Sequence, residues 1–166
     1  MNIKTGKSSG MRTLEPNTNV WINADNKNPV WTGGKQEYGK KFNPRKPYHI
    51  IPKTYQDVKN HLIEINNQKL FAEDKYAILT GHIEDNKTGG SMKQQLKTLG
   101  KMTTKMQIEG KLETVLYSKV DSSGGENKYV LETQNNGYNT ARSPMGLFEP
   151  VIENDYKFVL DKLANY

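Results

Sequence analysis

The chain has 166 residues, a formal net charge of +6 at pH 7, no cysteine and three histidines. The absence of cysteine excludes a disulfide framework and a thiolate metal site, and the scattered histidines do not form a zinc-binding pattern. No stretch approaches the roughly 18 apolar residues of a membrane span, and the first residues lack the apolar core of a signal peptide. We therefore expect a cytoplasmic protein with no membrane partner. Its basic charge favours a polyanion, either nucleic acid or nucleotide phosphate, with solubility as the alternative explanation.

The first predicted elements are a strand and a helix. Residues 18–24 (TNVWINA) are rich in β-branched and aromatic side chains, which predicts a short buried strand that ends before Asp25. The segment TYQDVKNHLIEI then begins with a candidate N-cap, Thr54, and places apolar residues at helical spacing. This pattern predicts a helix.

The second half of the chain predicts three strands and a closing helix. KYAILTGHI (75–83) is a continuous apolar run of strand length, which is typical of an internal parallel strand. LETVLYSKV (112–120) and NKYVLETQ (127–134) flank the turn sequence DSSGGE, which predicts a hairpin. The last residues, 151–166, form an amphipathic pattern. Alternation of strands and helices followed by a hairpin predicts a single α/β domain over residues 1–166.

The N-terminal stretch TGKSS matches the second half of the phosphate-binding loop GxxxxGK[ST]. In a complete loop, backbone N–H groups converge on phosphate oxygens, the lysine neutralises the phosphates, and the next hydroxyl ligates Mg²⁺. The first glycine would fall at Met1, so a chance match in a lysine-rich chain is the alternative. Two later predicted strand ends, VWINAD and LTGH, favour a nucleotide site, because the carboxyl ends of parallel strands line the nucleotide crevice.

Several longer stretches resemble a family of phage-encoded AAA/RecA-like ATPases that are grouped with single-strand annealing and recombination proteins. The stretches are KTLGKM, IEGKLETVLYSKV, YVLETQNNGYNTARSPMGLFEP and NDYKFVLDKL, together with GKSSGMRTL, VWINADNKNPVW and AILTGHIED. The resemblance implies a RecA-like core with a mainly parallel sheet flanked by helices and a C-terminal β-hairpin. It also implies binding of ATP and Mg²⁺, contact with single-stranded DNA, and a role in phage DNA recombination, replication or repair. The resemblance further implies that the protein assembles into a homo-oligomeric ring or filament in the host cytoplasm.

The resemblance also assigns roles to individual residues. Lys7 would be the phosphate lysine and Ser8 the Mg²⁺ ligand, with Gly6 and Ser9 completing the loop. Asp25 would polarise the attacking water, although a capping or turn aspartate explains it about as well. His82 would be the polar sensor at a strand end. Arg142 would present a cation to the nucleotide of a neighbouring subunit, with a surface arginine beside a turn as the alternative.

The chain departs from the family pattern at two places. Only MNIKT precedes the GKS motif, and residues 63–74 leave no room for an apolar strand that ends in aspartate. One interpretation is that segments are missing near residues 3–5 and 63–74. The other is a degenerate, non-catalytic protein that binds nucleic acid or serves assembly.

A basic segment, residues 86–105, is the candidate contact region for single-stranded DNA. On a helix, lysines at four-residue spacing would form one face, where like charges repel unless a polyanion binds. A solvated loop surface is the alternative. In the later loop we expect Tyr138, Met145, Leu147 and Phe148 to pack rather than to touch a base. The lysines of the segment are Lys87, Lys93, Lys97, Lys101 and Lys105.

Overall fold

The computed structural model describes residues 6–15, 21–22, 30–32, 34, 49–50, 53–54, 56–57, 60, 76, 78–88, 91–97 and 108–166. The chain divides into two compact units. The first comprises Met1–Lys7, Leu79–Asn154 and Tyr166, and the second comprises Ser8–Ile78 and Asp155–Asn165. Among the described residues, no helix is long and apolar enough to cross a membrane.

The described part of the chain contains seven strands and one α-helix with complete bounds. The strands are β1 (Trp21–Ile22), β2 (His49–Ile50), β3 (Ile83–Thr88), β4 (Ser91–Leu96), β5 (Tyr117–Asp121), β6 (Lys128–Glu132) and β7 (Val151–Glu153). The α-helix is the C-terminal helix, Tyr156–Ala164, and two 3-10 helices cover Ser9–Thr13 and Ile108–Lys111.

The main sheet of the first unit has three antiparallel strands in the order β5-β6-β7. Tyr117 of β5 lies opposite Glu132 of β6, and Leu131 of β6 lies opposite Ile152 of β7. Polar and glycine residues at 122–127 connect β5 to β6, as expected for a hairpin loop. The predicted hairpin is therefore confirmed.

The buried apolar side chains of the first unit come from this sheet and from the loop that follows β6. A buried valine, leucine or phenylalanine side chain contributes roughly 1.5–3 kcal/mol relative to an exposed one. The buried Thr133 satisfies its polar groups locally, because its hydroxyl donates to the carbonyl oxygen of Glu149 at 2.7 Å. The apolar set is Tyr117, Val130, Leu131, Ala141 and Phe148.

The apolar run at residues 75–83 does not form the predicted internal parallel strand. Residues 78–82 lie outside any strand, and the side chain of Leu79 is 68% exposed. From Ile83 onward the chain forms β3, which pairs with β4 in an antiparallel hairpin. The two positions between these strands are both glycine, which is typical of a two-residue hairpin loop. An internal parallel strand must be covered on both faces, and this exposed segment is not.

The RecA-like fold prediction is wrong. In the described ranges, the two longer pairings, β3–β4 and β5–β6–β7, are antiparallel, and the parallel pairing of β1 with β2 extends over two residues on each strand. Antiparallel hairpins close with short turns, whereas a parallel sheet needs long crossover connections that place helices on its faces. The β1 pairing does confirm the predicted first strand at Trp21 and Ile22.

Helices in the second unit begin at polar side chains that cap them. The hydroxyl oxygen of Thr54 accepts from the backbone N–H of Asp57 at 3.1 Å, and the Asp57 carboxylate accepts from the N–H of Thr54 at 2.9 Å. This reciprocal capping box confirms the predicted N-cap, and the chain is helical at Gln56, Asp57 and Asn60.

The C-terminal helix is confirmed with a later start than predicted. Val151–Glu153 forms β7, and the helix begins after Asp155, whose carboxylate accepts from the N–H of Phe158 at 2.9 Å. Tyr156 and Val159 are buried, as an apolar stripe at helical spacing requires.

Candidate nucleic-acid interface

Gly6, the glycine of the predicted phosphate loop, packs against the main sheet. Its φ is 77°, in the left-handed region, and a Cβ atom here would overlap the ring of Tyr129 in β6. The Gly6 carbonyl oxygen accepts from Asn154 Nδ2 at 2.6 Å, and the Asn154 N–H donates to the Tyr129 carbonyl oxygen at 3.2 Å. Packing and backbone conformation therefore account for glycine at this position without a bound phosphate.

The residues after Gly6 do not build a phosphate cradle. Lys7 and Ser8 form a turn, and Ser9 begins a 3-10 helix of five residues. Ser8 has φ −89° and ψ −12°, and its side chain makes no capping hydrogen bond. A phosphate loop requires a following helix long enough to align several N–H groups on the anion. The described residues do not fit an ATP–Mg²⁺ site, and ATP binding stays a prediction.

The two further residues of the predicted catalytic set are Asp25 and His82. Asp25 is outside the described residues. His82 is exposed before β3, where its carbonyl oxygen accepts from the Lys97 N–H at 2.7 Å, so it does not end the strand on which its sensor role depended. No group of three or more histidine or acidic side chains could hold a metal ion in the part of the chain that the structure describes.

Arg142 is committed to the backbone of its own chain. The backbone N–H of Arg142 donates to the Val115 carbonyl oxygen at 2.9 Å, and the Arg142 carbonyl oxygen accepts from the Val115 N–H at 2.8 Å. Its guanidinium donates to the carbonyl oxygens of Glu109 and Leu112, at the end of the second 3-10 helix. The Glu109 carbonyl also accepts from the Leu112 N–H at 3.2 Å, and a cation stabilises carbonyl groups at a helix end. The geometry gives Arg142 a structural role, and contact with a nucleotide stays a prediction.

The described lysines of the basic segment lie on the β3–β4 hairpin and not on a helix. Lys87 is in β3, Lys93 is in β4, and Lys97 directly follows β4. Lys93 and Lys97 are exposed, and neither makes an ion pair with any described residue. The predicted helical face is therefore not formed at these three positions, while Lys101 and Lys105 are outside the described residues.

The outer edge of β4 is closed by hydrogen bonds from the rest of the first unit. The Gln94 N–H donates to the Tyr138 carbonyl oxygen at 2.5 Å, and the Gln94 carbonyl accepts from the Tyr117 hydroxyl at 3.0 Å. The Leu96 N–H donates to Glu109 Oε1 at 2.8 Å, and that oxygen lies 3.1 Å from the Tyr117 hydroxyl. These bonds satisfy an edge that would otherwise pair with another chain, and they fix the lysine-bearing strand in place.

Tyr117 keeps its proton in this arrangement. Burial raises the pKa of its phenol, the hydrogen bond with Thr140 opposes that shift, and the nearby Glu109 carboxylate raises the pKa further. The protonated phenol can donate to the carbonyl of Gln94 on β4. Tyr117 therefore links β5 to β4 over the whole neutral pH range.

The loop after β6 is organised by its own asparagine side chains. The side-chain carbonyl oxygens of Asn135, Asn136 and Asn139 each accept from the backbone N–H two residues later, at 2.6, 2.9 and 3.1 Å. Gly137 supplies a φ of 89° at the turn. Such Asx turns fix backbone direction without help from a sheet or helix. The sequence NNGYN therefore forms a defined loop.

Glu132, at the end of β6, joins this loop to the sheet. Its Oε2 accepts from Asn139 Nδ2 at 2.7 Å and from Asn136 Nδ2 at 3.3 Å, and its Oε1 forms an ion pair with Lys119 of β5. The Glu132 side chain is 15% exposed, so the carboxylate is largely shielded from water. One carboxylate thus ties two loop amides to the sheet.

The exposure of Tyr138 corrects the expectation that the loop residues pack. Phe148 is buried and confirms it, but Tyr138 is 68% exposed and Met145 is 98% exposed. The sequence signal that could have found this is NNGYN, in which consecutive Asx turns place the tyrosine at the tip of a turn.

The chain matches no protein-family model, and comparisons with curated proteins and with solved structures also find no significant match.

Proposed function

We propose that the protein binds single-stranded nucleic acid through lysines of the β3–β4 hairpin, as a non-catalytic binding protein. The observation that carries this proposal is the state of Lys93 and Lys97, which are exposed and form no ion pair with a described residue. Ammonium groups in this state neutralise phosphates and release counterions, which supplies sequence-independent affinity.

The sequence around these lysines is strongly one-sided in charge. From residue 86 to residue 107 the chain carries five lysines and no Asp or Glu. The next acidic residue is Glu109, whose carboxylate is bonded to the N–H of Leu96. Glu84 and Asp85 lie on β3 at the far end of the hairpin from its connection. Positive charge therefore predominates on the half of the hairpin nearer its tip, which carries Lys87 and Lys93, whereas Lys97 follows β4 at the end that carries Glu84 and Asp85.

Two other described lysines, Lys119 and Lys157, differ from this pair. Lys119 forms an ion pair with Glu132, and Lys157 forms one with Asp161 at 2.6 Å. A lysine that already has a carboxylate partner must give up part of that interaction before it binds a phosphate. Lys128 and Lys162 are also exposed without an ion pair to a described residue, so what supports the hairpin as the contact surface is its run of sequence without acidic residues.

ATP hydrolysis, a role in phage DNA recombination, and assembly into a ring or filament stay predictions of the resemblance. The geometry of Gly6 to Ser9 gives them no support, and the hairpin lysines do not depend on them.

The test is binding of a fluorescently labelled thymidine oligonucleotide, followed by anisotropy at low salt. The variant Lys93→Gln/Lys97→Gln removes two charges and keeps side-chain length. We expect its affinity to fall roughly 5- to 30-fold, as the loss of two exposed ion-pair contacts of about 0.5–1 kcal/mol each implies.

The matched control is Lys157→Gln/Lys162→Gln, which removes the same net charge from the exposed face of the C-terminal helix. We expect this variant to bind within about twofold of the unmodified protein. Equal losses in both variants would show that only net charge matters, and absence of binding by the unmodified protein would refute the function itself.

A further inference from the structure

We infer that Tyr138 is a base-stacking platform beside the lysine hairpin, and that Glu132 is the positioning residue that presets it. This inference rests on the proposed function, because the lysines would hold the phosphates while the ring selects strands whose bases are exposed. The ligand class is therefore single-stranded nucleic acid in preference to duplex.

The first argument is exposure. Tyr138 is 68% exposed although the residues around it in sequence, Asn139 and Ala141, are almost fully buried. A large ring at the surface of an ordered loop leaves apolar area in water that stacking against a base would remove. Every base has a flat face, so a ring of this kind binds single strands with little dependence on sequence.

The second argument is position. The carbonyl oxygen of Tyr138 is bonded directly to the N–H of Gln94, the residue that follows Lys93 in β4. A single hydrogen bond therefore joins the backbone segment that carries the exposed ring of Tyr138 to the strand that carries the exposed ammonium group of Lys93. A groove that binds single strands combines a charge for the phosphate with an aromatic ring for the base, and this pairing supplies both.

The third argument is preorganisation. The N–H of Tyr138 is held by Asn136 Oδ1 at 2.9 Å, and its carbonyl is held by Gln94. The backbone that carries the ring is thus fixed on both sides before any ligand arrives. No binding free energy is therefore lost in ordering the loop, whereas a flexible segment must be ordered when it binds.

Glu132 matters because it holds the side chain of Asn136, which in turn holds the N–H of Tyr138. It accepts from the side chains of Asn136 and Asn139, and the ion pair with Lys119 offsets its charge. The carboxylate therefore repels an approaching phosphate only weakly. Loss of the Glu132 charge would loosen the loop and leave Lys93 and Lys97 in place.

The experiment compares two ligands of equal length and charge: a labelled thymidine 15-mer and an abasic phosphodiester 15-mer. The unmodified protein should bind the thymidine strand roughly 5- to 150-fold more tightly, the range that stacking of one base provides. Tyr138→Ala should abolish this preference, and Tyr138→Phe should keep it. Glu132→Gln should reduce the preference, measured as the ratio of the two affinities in the same variant, because the Lys119 charge that this variant leaves unpaired changes both affinities alike and cancels in the ratio.

The outcomes distinguish this inference from the proposed function. If the unmodified protein binds neither strand, both are refuted. Equal binding of the two strands, or a preference that survives in Tyr138→Ala, overturns the stacking role and leaves the lysine hairpin intact. A Glu132→Gln variant with an unchanged preference overturns its positioning role.

Discussion

The backbone N–H of Gln94 donates a hydrogen bond to the carbonyl oxygen of Tyr138 and so joins the lysine-bearing strand β4 to the loop that follows β6. These two residues are 44 positions apart in the sequence. The bond joins the backbone that carries an exposed aromatic ring to a strand that carries exposed lysines, and the stacking proposal depends on that connection.

Replacement of Gly6 by alanine should destabilise the protein. The new Cβ would overlap the ring of Tyr129, and φ of 77° is itself unfavourable for alanine. We expect a loss of about 2–4 kcal/mol in the free energy of unfolding, measured by urea denaturation.

Gly125 is the matched control for this change, since it has φ of 83° and open space where a Cβ would lie. Gly125→Ala should lower the free energy of unfolding by about 1–2 kcal/mol, the cost of a left-handed backbone conformation alone. Equal losses at both glycines would show that Tyr129 does not constrain Gly6.

ATP should not stabilise the protein in a Mg²⁺-dependent way, because Ser8 and the five-residue 3-10 helix do not form a phosphate cradle. The measurement is Tm with ATP, with and without Mg²⁺. A bound nucleotide at 100 times its Kd would add about 2.7 kcal/mol, and a rise of that size lost in Lys7→Ala would establish the phosphate-loop prediction instead.

Arg142 should contribute to stability and not to ligand binding. Its guanidinium donates to two carbonyl oxygens at the end of the second 3-10 helix. We expect Arg142→Ala to lower the free energy of unfolding by about 1–3 kcal/mol, because those carbonyls lose charged donors. Oligonucleotide affinity measured on the folded variant should be unchanged, and a loss of affinity without a loss of stability would contradict the structural role.

Alkaline pH should destabilise the second unit through Tyr156. Burial raises the pKa of its phenol from 10.0 to about 12, so the folded protein keeps a proton that the unfolded chain loses. The free energy of unfolding therefore falls as pH rises from about 10 to about 12, by up to roughly 3 kcal/mol.

The measurement is urea denaturation of the unmodified protein and of Tyr156→Phe at pH 8, 10 and 11. The phenylalanine variant lacks the proton, so its stability should decline less over this range. Parallel declines would mean that Tyr156 is not the group responsible.

The hairpin and the C-terminal helix could be predicted because their signals are local. The turn residues at 122–127 and the apolar spacing of Tyr156 and Val159 specify structure without distant partners. Residues 75–83 misled the prediction because a short apolar run does not reveal whether anything covers its faces. The candidate site was harder to predict than the fold. The exposure of Tyr138 depends on its bond to Gln94 and on the position of Glu132. The spacing of apolar residues in the sequence does not reveal such long-range contacts.

The most direct test of the central claim is the salt dependence of oligonucleotide binding. The logarithm of affinity should fall linearly with the logarithm of salt concentration, and each phosphate contact contributes a slope of about 0.7 for a single strand. Lys93→Gln/Lys97→Gln should therefore reduce the magnitude of the slope by about 1.4, while Lys157→Gln/Lys162→Gln leaves it unchanged. An unchanged slope in the hairpin variant would contradict the claim that this hairpin holds the phosphates.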